Sequence, residues 1–253
     1  FSGVIGQFSG TIGLTKVGTG TMTLSGVNTY TGSNNINAGK LVTTTASQAR
    51  GNYTVANGAT LSVANTTTSS ASISNLTLAA GSMLEFMDIS STTTPLLAAN
   101  NVTVNGSCSV KISQSGGIAL GTYPLASYAG SFSGNFTNLH LQLPAGISGT
   151  LVSNANQIAL SITVIPVPAA LLDLTATAQG TQIQLDWSAA DTNYATGYNI
   201  WRSLTSGSGY SLIGNTTNTT FINAGLAVNQ TYYYVVTATN SFGSSAYSPE
   251  ANA

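Results

Sequence analysis

Apolar and polar residues alternate in short runs along the first 113 residues, and each run is interrupted by a glycine. Four segments, which begin at residues 34, 53, 76 and 102, align with one another. Their aligned positions form three columns: Ile36, Val55, Leu78 and Val104; Val42, Leu61, Leu84 and Val110; and Thr44, Val63, Phe86 and Ile112. A period of two is typical of β-strands, so each segment predicts a strand, a turn and a second strand.

The turn inside each segment contains a glycine, at Gly39, Gly58, Gly81 and Gly106. Glycine adopts the positive φ angles that a sharp corner requires. Successive members of the first column are 19, 23 and 26 residues apart, and periods of about 20 to 50 residues indicate solenoids and other repeat folds. We therefore predict a parallel β-helix in which inward side chains stack from rung to rung, while Thr, Ser and Asn face outward.

Composition narrows the class of protein. Charged residues make up 4% of the 253 residues, whereas a typical globular protein has about 25%. The 42% hydrophobic content argues against disorder, because disordered chains have low hydrophobicity and usually high charge. The net charge of −1 gives no electrostatic basis for binding nucleic acid or an anionic membrane. No apolar run approaches the roughly 18 residues of a membrane span.

The segment from residue 14 to residue 42 carries a series of short motifs. A Lys-x-Gly-x-Gly stretch is followed by Met-x-Leu-x-Gly, Asn-x-Tyr-x-Gly and Ile-x-x-Gly-x-Leu, formed by Lys16, Gly18, Gly20, Met22, Leu24, Gly26, Asn28, Tyr30, Gly32, Ile36, Gly39 and Leu41. This series resembles the autotransporter-associated β-strand repeat. Residues 121–134 and 156–166 resemble the closing rungs of large bacterial surface proteins that carry this repeat. The resemblance implies a right-handed parallel β-helix on a secreted or cell-surface bacterial protein.

A different pattern begins after a Pro-rich connector at residues 164–170. Apolar residues again alternate at Ile183, Leu185, Trp187, Tyr232, Tyr234 and Val236. This spacing predicts a small antiparallel sandwich. Residues 169–253 resemble a fibronectin type III domain, with Trp187 as the core tryptophan and Tyr232, six residues after Leu226, as the corner tyrosine. The predicted architecture is all-β: a right-handed parallel β-helix over residues 1–165, then an antiparallel fibronectin type III sandwich over residues 166–253.

The ionisable residues give few candidates for chemistry, because they are scattered along the chain. Glu85 and Asp88 form a close carboxylate pair in the predicted β-helix. The neighbouring segments offer no further acids, so we expect two solvated turn residues rather than a catalytic or calcium site. Asp186 and Asp191 are interpreted in the same way. His140 has no Cys, Asp or Glu nearby in sequence to complete a metal site, and we expect it to face solvent or a rung edge.

Cys108, the one cysteine of the chain, cannot form an internal disulfide. It is expected to be buried or half-buried, and an intermolecular disulfide is the alternative. Asn-x-Ser/Thr spacings recur at Asn52, Asn65, Asn75, Asn101, Asn105, Asn135, Asn215, Asn218 and Asn229. In a chain so rich in Asn and Thr, chance produces many of these spacings. The sequence therefore predicts no catalytic residue, no metal site and no cofactor.

Two groups are candidates for contacts with other molecules. If Ile200 faces the sandwich core, Trp201 faces outward, where it could contact the solenoid, another copy or a sugar ring. Partial cover by a neighbouring loop is the alternative. The N-terminal segment contains Phe1, Val4, Ile5 and Phe8. The open end of a solenoid must be capped or joined, so this segment could cap its own β-helix or pair with a neighbouring subunit.

These features favour a non-catalytic extracellular structural protein, a self-associating subunit of a bacterial surface fibre, filament, sheath or layer. Its partners would be other copies of itself, in end-to-end or side-by-side contacts, because low charge weakens repulsion between copies. An adhesin or carbohydrate-binding stalk, with surface polysaccharide as partner, is the alternative, and an accessory region of a polysaccharide-degrading enzyme is the third hypothesis. The chain starts at Phe1 rather than Met, which indicates a removed leader or a piece of a longer protein.

Overall fold

Strands dominate the protein. The computed structural model describes residues 2–7, 9–47, 49–189 and 194–253. They divide into two compact units, Phe1–Val164 and Ile165–Ala253. Within the described residues the one helical element is a short 3-10 turn at Phe136–Asn138. The chain is therefore all-β, as predicted.

The first unit is a β-solenoid whose described residues form three sheets. The first sheet contains, in spatial order, β1 (Leu14–Lys16), β3 (Asn34–Ile36), β5 (Tyr53–Val55), β8 (Asn75–Ala79), β11 (Asn101–Asn105) and β14 (Phe132–Ser133). The second contains β2 (Thr21–Leu24), β4 (Lys40–Thr44), β6 (Thr60–Ala64), β9 (Met83–Met87), β12 (Cys108–Ser113) and β15 (Leu139–Gln142). The third contains β7 (Ala71–Ser72), β10 (Leu97–Ala99), β13 (Gly121–Tyr128), β17 (Gln157–Val164) and β16 (Ser148–Asn154).

In-register parallel pairing stacks the inward side chains of the first sheet. Ile36 pairs with Val55, Val55 pairs with Leu78, and Leu78 pairs with Val104. None of these four side chains is more than 3% exposed. Each rung therefore buries its aliphatic residues against the rungs on either side, which removes apolar surface from water. The column predicted from sequence is confirmed.

The second sheet corrects one rung of the alignment. Leu61, Leu84 and Val110 stack as predicted, but their partner in β4 is Leu41 rather than Val42. Thr43, rather than Thr44, continues the column that contains Val63 and Phe86. The reason is that the corner around Gly39 is one residue shorter than the corners of the later rungs, so the strand that follows begins one position earlier.

The third sheet ends differently from the other two. Strand β13 is parallel to β10 but antiparallel to β17, and β17 is antiparallel to β16. The register of β13 against β17 shifts between Pro124 and Ala126, a site where a strand tolerates proline. Residues 121–128 thus add the last parallel strand of this sheet, and residues 148–164 close it as an antiparallel hairpin.

The second unit is an antiparallel sandwich. One sheet contains β18 (Thr175–Gln179), β19 (Gln182–Asp186) and β22 (Thr220–Ala224). The other contains β21 (Ser211–Thr216), β20 (Gly197–Ser203), β23 (Tyr233–Asn240), β24 (Gly243–Ser244) and β25 (Ala251–Asn252), the last of which also pairs with β23. This division of strands between two sheets is the fibronectin type III arrangement.

The sandwich core is built around aromatic residues. Trp187 packs edge-on against Tyr198, with ring centroids 5.3 Å apart, and both belong to the buried cluster. The Tyr232 hydroxyl accepts a hydrogen bond of 3.1 Å from the backbone N–H of Ala227. Leu226 is buried beside it. The predicted core tryptophan and corner tyrosine are therefore confirmed.

Candidate interaction surfaces

One carboxylate joins several strands on the outer face of the second sheet. The pairing register places Ser62, Glu85 and Lys111 side by side on β6, β9 and β12. Lys40 Nζ, which reaches Glu85 from β4, donates a hydrogen bond of 2.6 Å. Lys111 Nζ lies 3.3 Å from the other carboxylate oxygen. Ser62 and Ser113 also donate their hydroxyl protons to Glu85. These five residues, the Glu85 cluster, connect four neighbouring strands.

The Glu85 cluster holds its carboxylate in the ionised form. Glu85 is 2% exposed, and burial by itself would raise the pKa of its carboxyl group. The hydrogen bonds from Lys40, Ser113 and Ser62 outweigh that effect and lower the pKa to about 2. Hydrogen bonds to a charged acceptor are stronger than those between neutral groups. The arrangement therefore acts as an ionic clamp and is not suited to giving or taking protons near neutral pH.

This finding corrects the prediction for Glu85, whereas Asp88 lies in a bend, as predicted. Glu85 is a buried strand residue rather than a solvated turn residue. Asp88 follows β9 with a φ of 55°, and its carboxylate accepts a hydrogen bond of 2.6 Å from the Ser115 N–H. The charged residues were expected to be scattered, but Lys40, Glu85 and Lys111 meet. The sequence signal was the spacing, since Ser62, Glu85 and Lys111 occupy the same position in successive segments.

The interior of the first rung is polar. Lys16 occupies the inward position next to Ile36 and is 7% exposed. Its Nζ donates hydrogen bonds to the backbone oxygens of Val17, Gly18 and Ala38 at 2.9, 2.7 and 3.1 Å. These bonds satisfy a buried ammonium group, which would otherwise be costly. The lysine of the Lys-x-Gly-x-Gly motif thus ties the first corner to the second.

Two further polar side chains fill this end of the core. Tyr30 donates its hydroxyl proton to Asn34 Oδ1 at 2.5 Å. Burial raises the pKa of the Tyr30 hydroxyl. Asn28 is fully buried, and its Nδ2 donates to the backbone oxygen of Gly26 at 2.9 Å. At the N-terminal end of the solenoid, hydrogen-bonded side chains therefore take part of the core, while Met22 and Leu24 continue its apolar side on β2.

The described part of the N-terminal segment lies against this end of its own solenoid. The Ile5 N–H donates to Asn28 Oδ1 at 2.9 Å, and the Ile5 carbonyl accepts from the Thr29 N–H at 3.0 Å. Val4 remains 61% exposed, and Ile5 is half-buried. The candidate contact residues Phe1 and Phe8 lie outside the described residues. These bonds cover the corner after β2 and are made within the chain.

In the described part of the chain, strands at both ends of the solenoid pair on one side only. At the N-terminal end β1 and β2 each pair with one strand, and at the other end β14, β15 and β16 do so. The Lys40 N–H donates to the Gly20 oxygen at 3.2 Å. Because peptide groups alternate in direction along a strand, the Thr21 N–H points away from β4, toward the side of β2 on which the described residues form no strand. Such edges are templates for pairing with another chain.

A ladder of asparagines follows the first sheet. Asn75 Nδ2 donates to Asn52 Oδ1 at 2.7 Å, and Asn101 Nδ2 donates to Asn75 Oδ1 at 2.8 Å. The Ser131 N–H extends the ladder to Asn101 at 2.8 Å. Three of the Asn-x-Thr spacings therefore arise from the repeat itself: the asparagine belongs to the ladder, and the threonine two residues later faces outward on the strand.

The remaining candidates stay apart from one another. His140 is exposed on β15, an edge strand, as predicted. Cys108 is 2% exposed, which confirms the expected burial. Asp186 lies within β19 rather than in a turn, and it accepts hydrogen bonds from Gln184 Nε2. Asp191 lies outside the described residues. Among the described residues, no group of three His, Cys, Asp or Glu side chains could hold a metal ion.

Three aromatic side chains form a half-exposed cluster on the second sheet of the sandwich. Trp201 packs edge-on against Tyr247 at 5.8 Å, and Tyr247 contacts Tyr210 at 5.5 Å. Trp201 Nε1 donates to Thr237 Oγ1 at 3.3 Å. Tyr210 donates its hydroxyl proton to Glu250. Burial and this carboxylate raise the pKa of Tyr210 to about 12. Trp201 is thus partly covered, and sequence reasoning missed Tyr210 and Tyr247 because nothing in their local pattern distinguishes them.

Comparison with known proteins gives one family match and several structural likenesses. Residues 14–42 match the family model described as Passenger-associated-transport-repeat. No curated protein matches the chain. No helix among the described residues is long and apolar enough to cross a membrane.

The structural likenesses fall on part of the chain. A Fn3-like protein from Clostridium thermocellum is 33% identical, covering 34% of this chain and 88% of that protein, with a TM-score of 0.30. The sixth fibronectin type III domain from human fibronectin type III domain containing protein 3 is 21% identical, covering 34% and 83%, with a TM-score of 0.31. A beta-1,2-glucanase from Parabacteroides distasonis is 22% identical, covering 40% of this chain and 16% of the glucanase, with a TM-score of 0.31.

The stacked parallel strands define the first unit as a β-solenoid, and the repeat match lies at its start. The two-sheet division and the corner tyrosine define the second unit. The chain is a β-solenoid repeat protein that carries a fibronectin type III-like sandwich.

Proposed function

We propose that the protein is a secreted or cell-surface structural protein without catalytic activity, and that its copies join end to end through the solenoid. The match of residues 14–42 to a passenger-associated transport repeat supports an exported protein. The observation that carries the proposal is that, among the described residues, the strands at both ends of the solenoid pair on one side only. Joining the edge of β2 in one copy to the edge of β15 in the next would continue the parallel pairing.

The low charge of the strands at the two ends of the solenoid favours their close approach. Strands β2 and β15 contain no Lys, Arg, Asp or Glu, so like-charge repulsion between juxtaposed edges is small. The outward residues of β2 are Thr21 and Thr23, and Met22 and Leu24 continue the inward side. A contact between two different surfaces repeats without closing unless a rotation brings it into a ring. The expected product is a fibre.

Electron microscopy of the purified protein at high concentration tests this proposal. The Thr21→Pro variant removes an N–H that points away from β4, whereas the matched control Thr21→Val keeps it. We expect ordered end-to-end fibres for the natural chain and for Thr21→Val, and dispersed particles for Thr21→Pro. Dispersed particles for the natural chain, or equal fibres for Thr21→Pro, would contradict end-to-end joining.

A second candidate function is an adhesive stalk that binds polysaccharide through the Trp201, Tyr210 and Tyr247 cluster. The observation in its favour is a half-exposed group of three contacting rings, since aromatic residues are enriched in binding hot spots. Binding of the protein to an array of neutral glycans tests it, with Trp201→Ala as the probe. The control is Leu212→Ala, because Leu212 is 51% exposed next to Trp201. Loss of binding with Trp201→Ala alone supports the adhesive function, and no binding by the natural chain contradicts it.

A further inference from the structure

Nearly all cationic side chains of the protein are engaged with its own groups. Hydrogen bonds or ion pairs within the chain involve Lys16, Lys40, Lys111 and Arg202. The Arg50 guanidinium, by contrast, forms no hydrogen bond or ion pair with the described residues, and the residue is exposed. Its backbone is nevertheless held, because the Ser74 hydroxyl donates to the Arg50 carbonyl. An exposed guanidinium without a partner among the described residues is available to bind an anionic group of a ligand.

Arg50 lies between two depressions on the solenoid surface. One encloses about 510 Å³ and the other about 400 Å³. Arg50 and Ser72 line both of them, so the two depressions adjoin at these residues, and we call the pair the Arg50 groove. Volumes of this size are typical of ligand sites, and two adjoining depressions suit an extended ligand.

The floor of the larger depression is one row of residues on the third sheet. Ser72 pairs with Ala98, Ala98 pairs with Ser127, and Ser127 pairs with Gln157. Neighbouring strands are about 4.8 Å apart, so this row is about 14 Å long. Its side chains are small or carry an amide, and all four are half-buried. A flat chain can therefore lie across the strands without displacing protein atoms.

The groups around this floor are hydrogen-bonding groups with little charge. Hydroxyls come from Ser74 and Ser127, amides from Asn100 and Asn156, and a phenol ring from Tyr128. Of the described residues that line the two depressions, none carries a carboxylate and Arg50 alone carries a positive charge. Nothing there opposes a ligand with acidic groups, and the guanidinium can bind a carboxylate or sulfate through two parallel hydrogen bonds.

We infer that the Arg50 groove binds a linear anionic polysaccharide, a chain of sugars that carries carboxylate or sulfate groups. Sugar hydroxyls match the hydroxyls and amides of the floor and rim, and an acidic group of the sugar matches Arg50. The small floor residues offer no deep apolar pocket for the side chains of a peptide. This inference is independent of end-to-end joining.

Affinity electrophoresis of the full chain in gels that contain a dissolved polymer tests the inference. The probes are polygalacturonate, its fully methyl-esterified neutral form, dextran sulfate and polyglutamate. We expect polygalacturonate or dextran sulfate to retard the protein at least tenfold more strongly than the neutral ester or polyglutamate does. The stronger of the two anionic glycans identifies the acidic group. Equal retardation by the neutral ester would contradict recognition of the acidic group. Equal retardation by polyglutamate would contradict recognition of the sugar.

Variants locate the site. Arg50→Gln removes the charge, and Arg50→Lys keeps it. Ser127→Trp fills the floor, while Thr54→Trp places the same ring on the exposed face of the first sheet. We expect Arg50→Gln and Ser127→Trp each to weaken binding at least tenfold, Arg50→Lys to weaken it less, and Thr54→Trp to leave it unchanged. If Arg50→Gln binds as strongly as the natural chain, the assignment of the site is wrong. If Arg50→Gln does not fold, undiminished binding by Ser127→Trp contradicts the assignment instead.

Discussion

The solenoid and the sandwich fill their cores in different ways. In the solenoid, residues such as Val55 and Leu78 occupy equivalent positions and are buried by the rungs before and after them. In the sandwich, Trp187, Tyr198 and Tyr232 each make contacts that no other residue repeats. A repeating core can take further rungs of the same kind at its ends, whereas a core of unique contacts cannot be extended by repeating its own pattern. This difference is why we locate self-association in the solenoid.

The two units also differ in how they use charge. In the solenoid, Glu85 on β9 is paired with Lys111 on the next strand and with Lys40 two strands away, so one carboxylate holds several rungs together. In the sandwich, Glu250 is exposed and accepts hydrogen bonds from Ser206 and the Gly207 N–H. In the solenoid, therefore, the outer face contributes to stability as well as the interior.

The largest effect is expected from the inward column. Leu78→Ala removes a fully buried side chain and should lower the free energy of unfolding of the solenoid by ~2–5 kcal/mol. The matched control is Thr77→Ala, since Thr77 faces outward on the same strand and should cost less than ~0.5 kcal/mol. Denaturant unfolding followed by far-ultraviolet circular dichroism measures both. Equal losses for the two variants would contradict stacking as the source of stability.

A smaller effect is expected from the Glu85 cluster. Glu85→Gln removes the negative charge, but the lysines keep partial contact with water, so we expect a loss of about 2 kcal/mol for a charged hydrogen-bonded group. The folded-state pKa of Glu85 is lowered, so its contribution is present above the ordinary value of 4.5 and is lost as pH falls toward about 2. The free energy of unfolding of the solenoid should therefore fall less steeply with decreasing pH in Glu85→Gln than in the natural chain.

The control for this prediction comes from the other unit. Glu250→Gln changes an exposed carboxylate, whose interactions are screened by water, so it should alter stability less than Glu85→Gln does. Unfolding measured at a series of pH values between neutral and strongly acidic gives the comparison. If the free energy of unfolding of Glu85→Gln falls with pH as steeply as that of the natural chain, the cluster does not link pH to stability.

The smallest effect is expected at the corner of the sandwich. Tyr232→Phe removes the hydroxyl that accepts a hydrogen bond from the Ala227 N–H and should cost about 1 kcal/mol. Both tryptophans of the chain, Trp187 and Trp201, belong to the sandwich, so tryptophan fluorescence follows the unfolding of this unit. If Tyr232→Phe lowers the free energy of unfolding no more than the exposed control Tyr247→Phe does, the corner hydrogen bond does not stabilise the sandwich.

The sequence predicted the repeat well because alternation and glycine spacing are local signals. The columns through Ile36 and Leu61 follow from them directly. The shorter corner at Gly39 was missed, since a one-residue deletion in a turn shifts the next strand without changing its composition. Glu85 was misjudged because the contacts that bury it come from residues 23 to 45 positions away. The aromatic neighbours of Trp201 were missed for the same reason.

The central claim is that one end of the solenoid pairs with the other end of the next copy. Thr21→Pro is designed to block the edge of β2, and Leu141→Pro to block the edge of β15, and circular dichroism first checks that each variant keeps its β-sheet. Each variant alone should sediment as a monomer, and an equimolar mixture should give a species of twice the monomer mass with one copy of each. A mixture that stays monomeric, or a single variant that dimerises with itself, would contradict end-to-end joining.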